Sequence, residues 1–253
     1  MLRVSVVMAV YNEEKNISRA IDSILSQTMT DLELIIVNDG STDHTLEIIR
    51  RYDDKRIIII DKEYNSGLAD SLNLGITHAR TDLIARQDAD DFSQPDRLKT
   101  QVDYLSRNPE VVVVGSWGYL TNDTDQKKEL KLPTTDIRIR QFMQKDNPFI
   151  HTSVVFRKEE FEKAGCYKTG LEDYDLWIRL AKDNKLTNLP FFLVTRHEAD
   201  NFNSRPYYLG KKRRDIYKLR LRCQLKAILY FGIHVKTLYY LSKTIIRIVF
   251  PKQ

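Results

Sequence analysis

Carboxylates concentrate at two places in this chain of 253 residues. The stretch IARQDADDFSQPDRL, residues 84–98, holds Asp88, Asp90, Asp91 and Asp96 at the end of an apolar, strand-like run. Like charges a few ångströms apart raise one another's pKa unless a cation offsets them, so the cluster calls for a positive partner. A hard divalent cation takes one or two carboxylates and completes its shell with substrate phosphates, and DADD offers such a partial shell. A solvated acidic turn ahead of a helix is the structural alternative. The second concentration is LEDYDLW, residues 171–177, with Glu172, Asp173 and Asp175. On a helix starting near residue 173, Asp173 falls in the first turn, where the helix dipole keeps it ionised; an N-terminal cap uses the same residue type. Arg86, Arg196 and Arg205 are candidates to meet phosphate charge, against the default of a surface arginine. A lone histidine is more often structural, which is the default for His151.

The elements that must position these groups follow from periodicity. RVSVVMAV precedes EEKNISRAIDSILSQ, whose Ile17, Ala20, Ile21, Ile24 and Leu25 repeat at helical spacing. LELIIVND precedes STDHTLEIIRRY, with Ser41 or Thr42 as N-cap; RIIIID precedes SGLADSLNLGITHA; DLIARQDAD precedes QPDRLKTQVDYLSR, with Pro95 suited to a first helical turn. EVVVVGSWGYL comes last. Five strands with four intervening helices predict an α/β fold with a mainly parallel, doubly wound sheet over residues 1–120. In such sheets ligands bind beyond the carboxyl ends of the strands. Tyr11 and Asn12, Asp39, Asn65 to Gly67, and Asp88 to Asp91 all fall at that edge. Singly, each has a bland reading as a turn, cap or half-buried residue. Their convergence is the argument for a site.

Residues 121–206 are less regular, with NDTDQKKELKLP a solvated loop, helices expected at 134–145 and 173–183, and a strand at 153–156. From Tyr207 onward there are 12 Lys or Arg against one acidic residue, Asp215, a net +11, while the preceding 206 residues carry 28 against 34. Body and tail therefore have different electrostatic partners. If 209–250 were one helix, Arg214, Lys218, Arg222 and Lys226 would form a stripe to which Lys236, Lys243 and Arg247 return. A cationic stripe beside an aliphatic and aromatic face suits the surface of an anionic membrane. Packing on the body or in a homo-oligomer interface is the alternative. Nucleic acid is excluded as partner, because the apolar face is too broad and no base-reading motif is present.

Several classes fall away. Hydrophobic content of 42% with 30% charged residues excludes a disordered chain. The two cysteines form no motif, which fits a reducing compartment, and the short N-terminal apolar run reads as a strand rather than a signal peptide. The longest uncharged stretch of the tail, Ala227 to Val235, is too short to cross a bilayer. These features lead to the expectation of a cytoplasmic chain, peripheral at the inner face of the membrane. A G-x-G-x-x-G after the first strand and a P-loop are both absent, so dinucleotide oxidoreductases and phosphate-loop ATPases are excluded. A metal-bridged diphosphate held against the sheet remains.

The motifs SVVMAVYNEEKNI, LIIVNDGSTD, NSGLADSLNLGI, IARQDADD, PFIHTSVVFRK and LEDYDLWIRLA, spread in this order over residues 4–181, resemble glycosyltransferase family 2, which has the GT-A fold. The resemblance implies an inverting transferase taking a sugar from a nucleotide donor, most often a UDP-sugar, with Mn²⁺ or Mg²⁺, onto a lipid-linked or surface-polysaccharide acceptor. By position it implies that Tyr11 packs on the base, Asp39 hydrogen-bonds it and Asp88 reaches the ribose. Asn12, Glu13, Asn65, Gly67, Arg86 and Ala89 fall on the same donor side. Asp90 would bind the metal, supported by Asp91 and His197. Asp173 would be the base that deprotonates the acceptor hydroxyl, with Glu172 beside it facing the acceptor. From helical spacing alone, Trp177 lies one turn after Asp173 and is placed to wall a sugar ring, and His151 is a candidate for the same acceptor side. Asn38 stands where an acidic residue is commoner, and Asp70 where a small one is. A sugar nucleotidyltransferase and a non-catalytic sugar-nucleotide-binding protein are the alternatives.

Overall fold

The structure, a computed structural model, describes residues 3–121, 127–197 and 213–250. Arg205, the interior of the loop after residue 121 and the start of the basic tail lie outside them. Four parallel strands form the core of the sheet: β1 (Val4–Val10), β2 (Leu32–Asn38), β3 (Ile57–Asp61) and β4 (Leu83–Arg86), in the order β3-β2-β1-β4. Between them run α1 (Ile17–Leu25), α2 (Thr45–Arg50) and α3 (Leu68–Thr77). Every residue of β1 and β2 is buried, as expected when helices cover both faces of a parallel sheet. Val4, Val6, Met8 and Val10 join the core that holds Ile17, Ile21 and Ile24 of α1, while Val7 and Ala9 join the core that holds Leu72 and Ile76 of α3. This alternation follows from the two-residue period of a strand.

The second half continues the same sheet. After β5 (Phe92–Ser93) and α4 (Arg97–Arg107) comes the long β6 (Val111–Thr121), then β7 (Lys127–Leu130), α5 (Asp136–Phe142), a 3-10 turn at His151–Ser153, β8 (Val155–Arg157), α6 (Lys158–Lys163), α7 (Glu172–Leu180) and β9 (Lys185–His197). The full order is β3-β2-β1-β4-β8-β6-β9-β5, with β7 on β6. The fifth sequence-predicted strand, β6, is present but does not pair with the parallel set. β8 lies antiparallel between β4 and β6, so the sheet runs across the boundary drawn at residue 120. Eleven residues of β6 and thirteen of β9 pair in parallel over nearly their whole length. Their far ends carry Leu120 and His197 out beyond the core sheet.

The basic tail is two helices rather than one, α8 (Arg213–Phe231) and α9 (Thr237–Val249), separated at Gly232, whose φ of 76° is open to glycine at little cost. α8 packs on α5 and α7, and α9 packs back on α8. Lys226 pairs with Asp175 at 2.7 Å and Arg220 with Asp146 at 2.6 Å. A continuous cationic stripe is therefore not presented, because part of it is spent on holding α8 to the body. Among the described residues no helix is long and apolar enough to cross a membrane.

Candidate active site

One cavity of about 790 Å³ opens at the carboxyl ends of the parallel strands. Tyr11, Glu13, Asp88, Ala89, Asp90 and Asp91 line it from the first half, and His151, Glu172, Asp173, Arg196 and His197 from the second. Its size lies within the range of small-molecule sites.

The acidic strand end is held by cations of the protein itself. Arg86, only 1% exposed, pairs with Asp88 and donates to the Gln87 carbonyl. Beneath it Arg97, fully buried, donates to Gln87 Oε1 at 3.0 Å, Ser93 Oγ at 2.7 Å and the Arg86 carbonyl at 2.6 Å. Burial, then the neighbouring Arg86 charge, lowers the Arg97 pKa to about 9. The Asp88 N–H donates to Thr152 Oγ1 at 3.0 Å, tying the cluster to the 3-10 turn. Arg86 was expected to meet substrate phosphate. The structure makes it the buried internal counter-ion of Asp88, and Asp88 rather than Arg86 lines the cavity.

Asp91 is 2% exposed, and its Oδ1 accepts the His197 N–H at 2.8 Å, which closes the end of β9 over the acidic turn. Burial, followed by the charges of Asp90 and Asp88, pushes the Asp91 carboxyl well above the usual range. Among the described residues no three His, Cys, Asp or Glu side chains form a ligand group, so Asp90, Asp91 and His197 do not make a three-ligand metal set here. The donor set instead fits an open site, in which one or two carboxylates hold a dication and phosphate oxygens complete it.

Asp39 and the loop of residues 64–67 form a second unit. The Asp39 carboxylate is fully buried and accepts Lys62 Nζ at 2.5 Å, the Ser66 N–H at 2.9 Å and the Gly67 N–H at 3.0 Å. Its hydrogen-bonding capacity thus goes largely to the loop rather than to the expected base, and neither Asp39, Asn65 nor Gly67 lines the cavity. Gly40, at φ 69°, lies against the backbone of Tyr64 and Asn65. Asn12, at φ 55°, also acts locally: its Oδ1 accepts the Thr42 N–H at 2.8 Å and its N–H donates to Ser41 Oγ at 3.0 Å. Ser41 and Thr42 are thereby used on the first strand's loop rather than as the cap of α2. Asn38 donates to Asp61 Oδ1 at 2.8 Å, a bond that an acidic residue in its place would replace with repulsion.

On the opposite wall, Asp173 lies in the first turn of α7, where its Oδ2 accepts Asn147 Nδ2 at 2.5 Å and its Oδ1 accepts the Tyr174 N–H at 2.7 Å. Asp175 faces away, bonded to Arg179 and Lys226. His151 accepts from or donates to Tyr167 Oη at 3.0 Å, and burial, with Arg86 next, lowers its pKa to about 4, so it is a neutral group at the cavity wall. Trp177, expected to wall a sugar, is fully buried and packs edge-on against Phe149 and His151 in the core. Trp177 stands one turn after Asp173 on α7, but that turn is covered by the core while the first turn borders the cavity.

Sequence reasoning missed the far wall. Leu120, Leu130 and Leu132 come from the β6–β7 extension, Asn147 from the loop after α5, and Ile216, Tyr217 and Arg220 from α8. No local signal marks these residues, since each is ordinary for its own element and meets the site only through tertiary packing.

The comparisons with known proteins agree with this architecture. Residues 5–165 match the profile described as Glycosyl transferase family 2. The chain is 34% identical over 97% of its length, and 94% of the relative's, to amylovoran biosynthesis glycosyltransferase AmsE of Erwinia amylovora. It is 31% identical over 69% of its length, and 66% of the relative's, to the UDP-Gal:alpha-D-GlcNAc-diphosphoundecaprenol beta-1,3-galactosyltransferase of Escherichia coli. Among solved structures, S. aureus TarS in complex with UDP-GlcNAc superposes with a TM-score of 0.74 at 17% identity, over 97% of this chain and 72% of that one. The mannosyltransferase PcManGT of Pyrobaculum calidifontis, in complex with GDP-Man and Mn²⁺, gives 0.66 at 20% identity, over 98% and 70%. The cavity thus lies in a GT-A sheet, and this chain belongs to glycosyl transferase family 2.

Proposed function

We propose that the chain is an inverting, metal-assisted transferase that moves a sugar from a UDP-sugar onto a lipid-linked saccharide in surface-polysaccharide assembly. The observation that carries this reading is that Asp90 and Asp173, from opposite halves of the chain, line the same cavity. One carboxylate-lined end suits a donor and the other a proton acceptor. The AmsE and galactosyltransferase relatives support the acceptor class, and the ligands named for the two structural neighbours support a nucleotide-sugar donor.

Tyr11, half-buried at the end of β1, offers a ring face to the base, and Asp88, oriented by Arg86, accepts from a ribose hydroxyl. Asp90 would hold the dication, which supplies positive charge to the departing diphosphate. Asp173 accepts the proton of the acceptor hydroxyl as that oxygen bonds to the anomeric carbon. The bond from this carbon to the diphosphate oxygen breaks on the opposite side, and its electron pair leaves with the nucleoside diphosphate. Asn147 and the Tyr174 N–H fix both carboxylate oxygens, so that a lone pair is aimed without a search over rotamers. Glu172 stands beside it at the acceptor end.

The test combines calorimetric donor binding with turnover on a panel of UDP-sugars in Mn²⁺. Asp173→Asn is expected to bind donor as the native chain does and to lose at least ~100-fold in turnover, the usual contribution of a positioned base. Turnover within twofold of native would remove Asp173 from the role. Failure of every UDP-sugar to bind at millimolar concentration would remove the donor assignment.

A further inference from the structure

We propose that the α8–α9 hairpin docks on the anionic face of a lipid bilayer. The proposal goes beyond the transferase reading and stands on the hairpin alone. α9 fully buries Thr237 and Thr244, whereas its apolar Leu238, Ile245, Ile246 and Val249 are exposed. Thr237 spends its hydroxyl on Gln144 of the body, and Tyr240, Leu241 and Ile248 on the same inward face are half-buried. The connection between the helices continues the patch, with Ile233 exposed and Val235 at 95% exposure, and Leu229 of α8 adds to it at 80%. Scattered exposed apolar residues are ordinary, but a contiguous set on one hairpin marks an interaction surface.

Charge selects the occupant. Residues 213–250 carry nine Lys or Arg and a single acid, Asp215. Arg214, Arg222, Lys236, Lys243 and Arg247 are exposed, while Arg220 and Lys226 are engaged with the body. A second copy meeting this face would set two strongly cationic hairpins together, which their repulsion opposes. An anionic headgroup layer above an acyl interior meets both needs at once, taking the cations at the surface and the apolar side chains below it. Lys243 Nζ lies 4.4 Å from the ring centroid of Tyr239, one turn earlier on α9 and also exposed, which sets a cation beside a ring as at a membrane interface, while the Arg247 guanidinium lies 5.4 Å from the Tyr217 ring of α8. Tyr217 also lines the catalytic cavity, which connects the docking helices to the space where an acceptor would enter.

The experiment is co-sedimentation of the full chain with vesicles of phosphatidylcholine alone and of phosphatidylcholine with phosphatidylglycerol, at low and high salt. Binding is expected to the anionic vesicles and to weaken with salt. Lys243→Gln with Arg247→Gln should lower the partition coefficient roughly fivefold per cation removed. Ile245→Asp with Val249→Asp should abolish it. Both pairs change exposed positions, and unaltered thermal unfolding and UDP binding verify the fold and keep this outcome separate from failure of the donor site. Absence of binding, equal binding to neutral vesicles, or binding that neither pair of substitutions alters would overturn the proposal. So would a dimer in light scattering that Ile245→Asp with Val249→Asp dissolves, because the occupant would then be a second copy.

Discussion

Glu13 gives the sharpest quantitative consequence of the site's electrostatics. It lies at the cavity wall just past β1, and its pKa is raised from 4.5 to about 7. Burial is the main cause, opposed by a hydrogen bond from Asn16 Nδ2 at 3.0 Å and reinforced by the charges of Asp90, Asp43 and Asp88. Because the folded carboxyl holds its proton up to a higher pH than the unfolded one, the native state binds more protons between pH 4.5 and about 7. Stability therefore falls as pH rises through that window and levels off above it. Each tenfold change in proton affinity is worth about 1.4 kcal/mol, which sets a ceiling of roughly 3 kcal/mol on the cost of ionised Glu13. Glu13→Gln keeps an oxygen for Asn16 and cannot ionise. In urea denaturation it should exceed the native chain by about 2 to 3 kcal/mol near pH ~8, with the two curves meeting near pH ~4. Parallel stability profiles across this range would show that Glu13 titrates as a solvated carboxyl and would refute the account of a desolvated, negatively biased cavity wall.

Three further outcomes test the supporting structure. Trp177→Ala should cost about 3 to 5 kcal/mol by calorimetric unfolding, because it empties a fully buried site, whereas a change of acceptor kinetics at unchanged stability would restore it to the cavity wall. Lys62→Met leaves the buried Asp39 carboxylate without its cation and should destabilise by about 3 to 5 kcal/mol in the same assay, with Asp39→Asn restoring part of the loss in the double variant. Gly40→Ala places a Cβ 2.7 Å from the Tyr64 backbone at a positive φ, so it should lower the melting temperature and raise hydrogen exchange at Ser66 and Gly67; unchanged exchange would separate Gly40 from that loop.

The parallel half was legible because its signals are local. A strand covered by helices on both faces is dominated by apolar residues, as β1 and β2 are apart from Ser5, Glu33 and Asn38, and α1 and α4 carry the 3.6-residue period of an amphipathic helix. Strand ends then mark the ligand edge, which brought Tyr11, Glu13 and Asp88 to Asp91 to the cavity, and the acidic first turn of α7 marked Glu172 and Asp173. The insertion of β8 between β4 and β6 is not written in any segment, since a three-residue strand has no periodicity to read and its place is chosen by pairing across distant parts of the chain. The same limit applies to side-chain direction. Composition fixed that Arg86, Asp39 and Trp177 were available near the site, but the strand and helix faces they occupy turned them to Asp88, to the 66–67 backbone and to the core. Sequence determined which groups stand at the rim of the sheet and the excess charge of the tail. Only tertiary packing decided which of those groups face the cavity, and that α8 closes its far wall, because both depend on desolvation and contact between segments that share no local pattern.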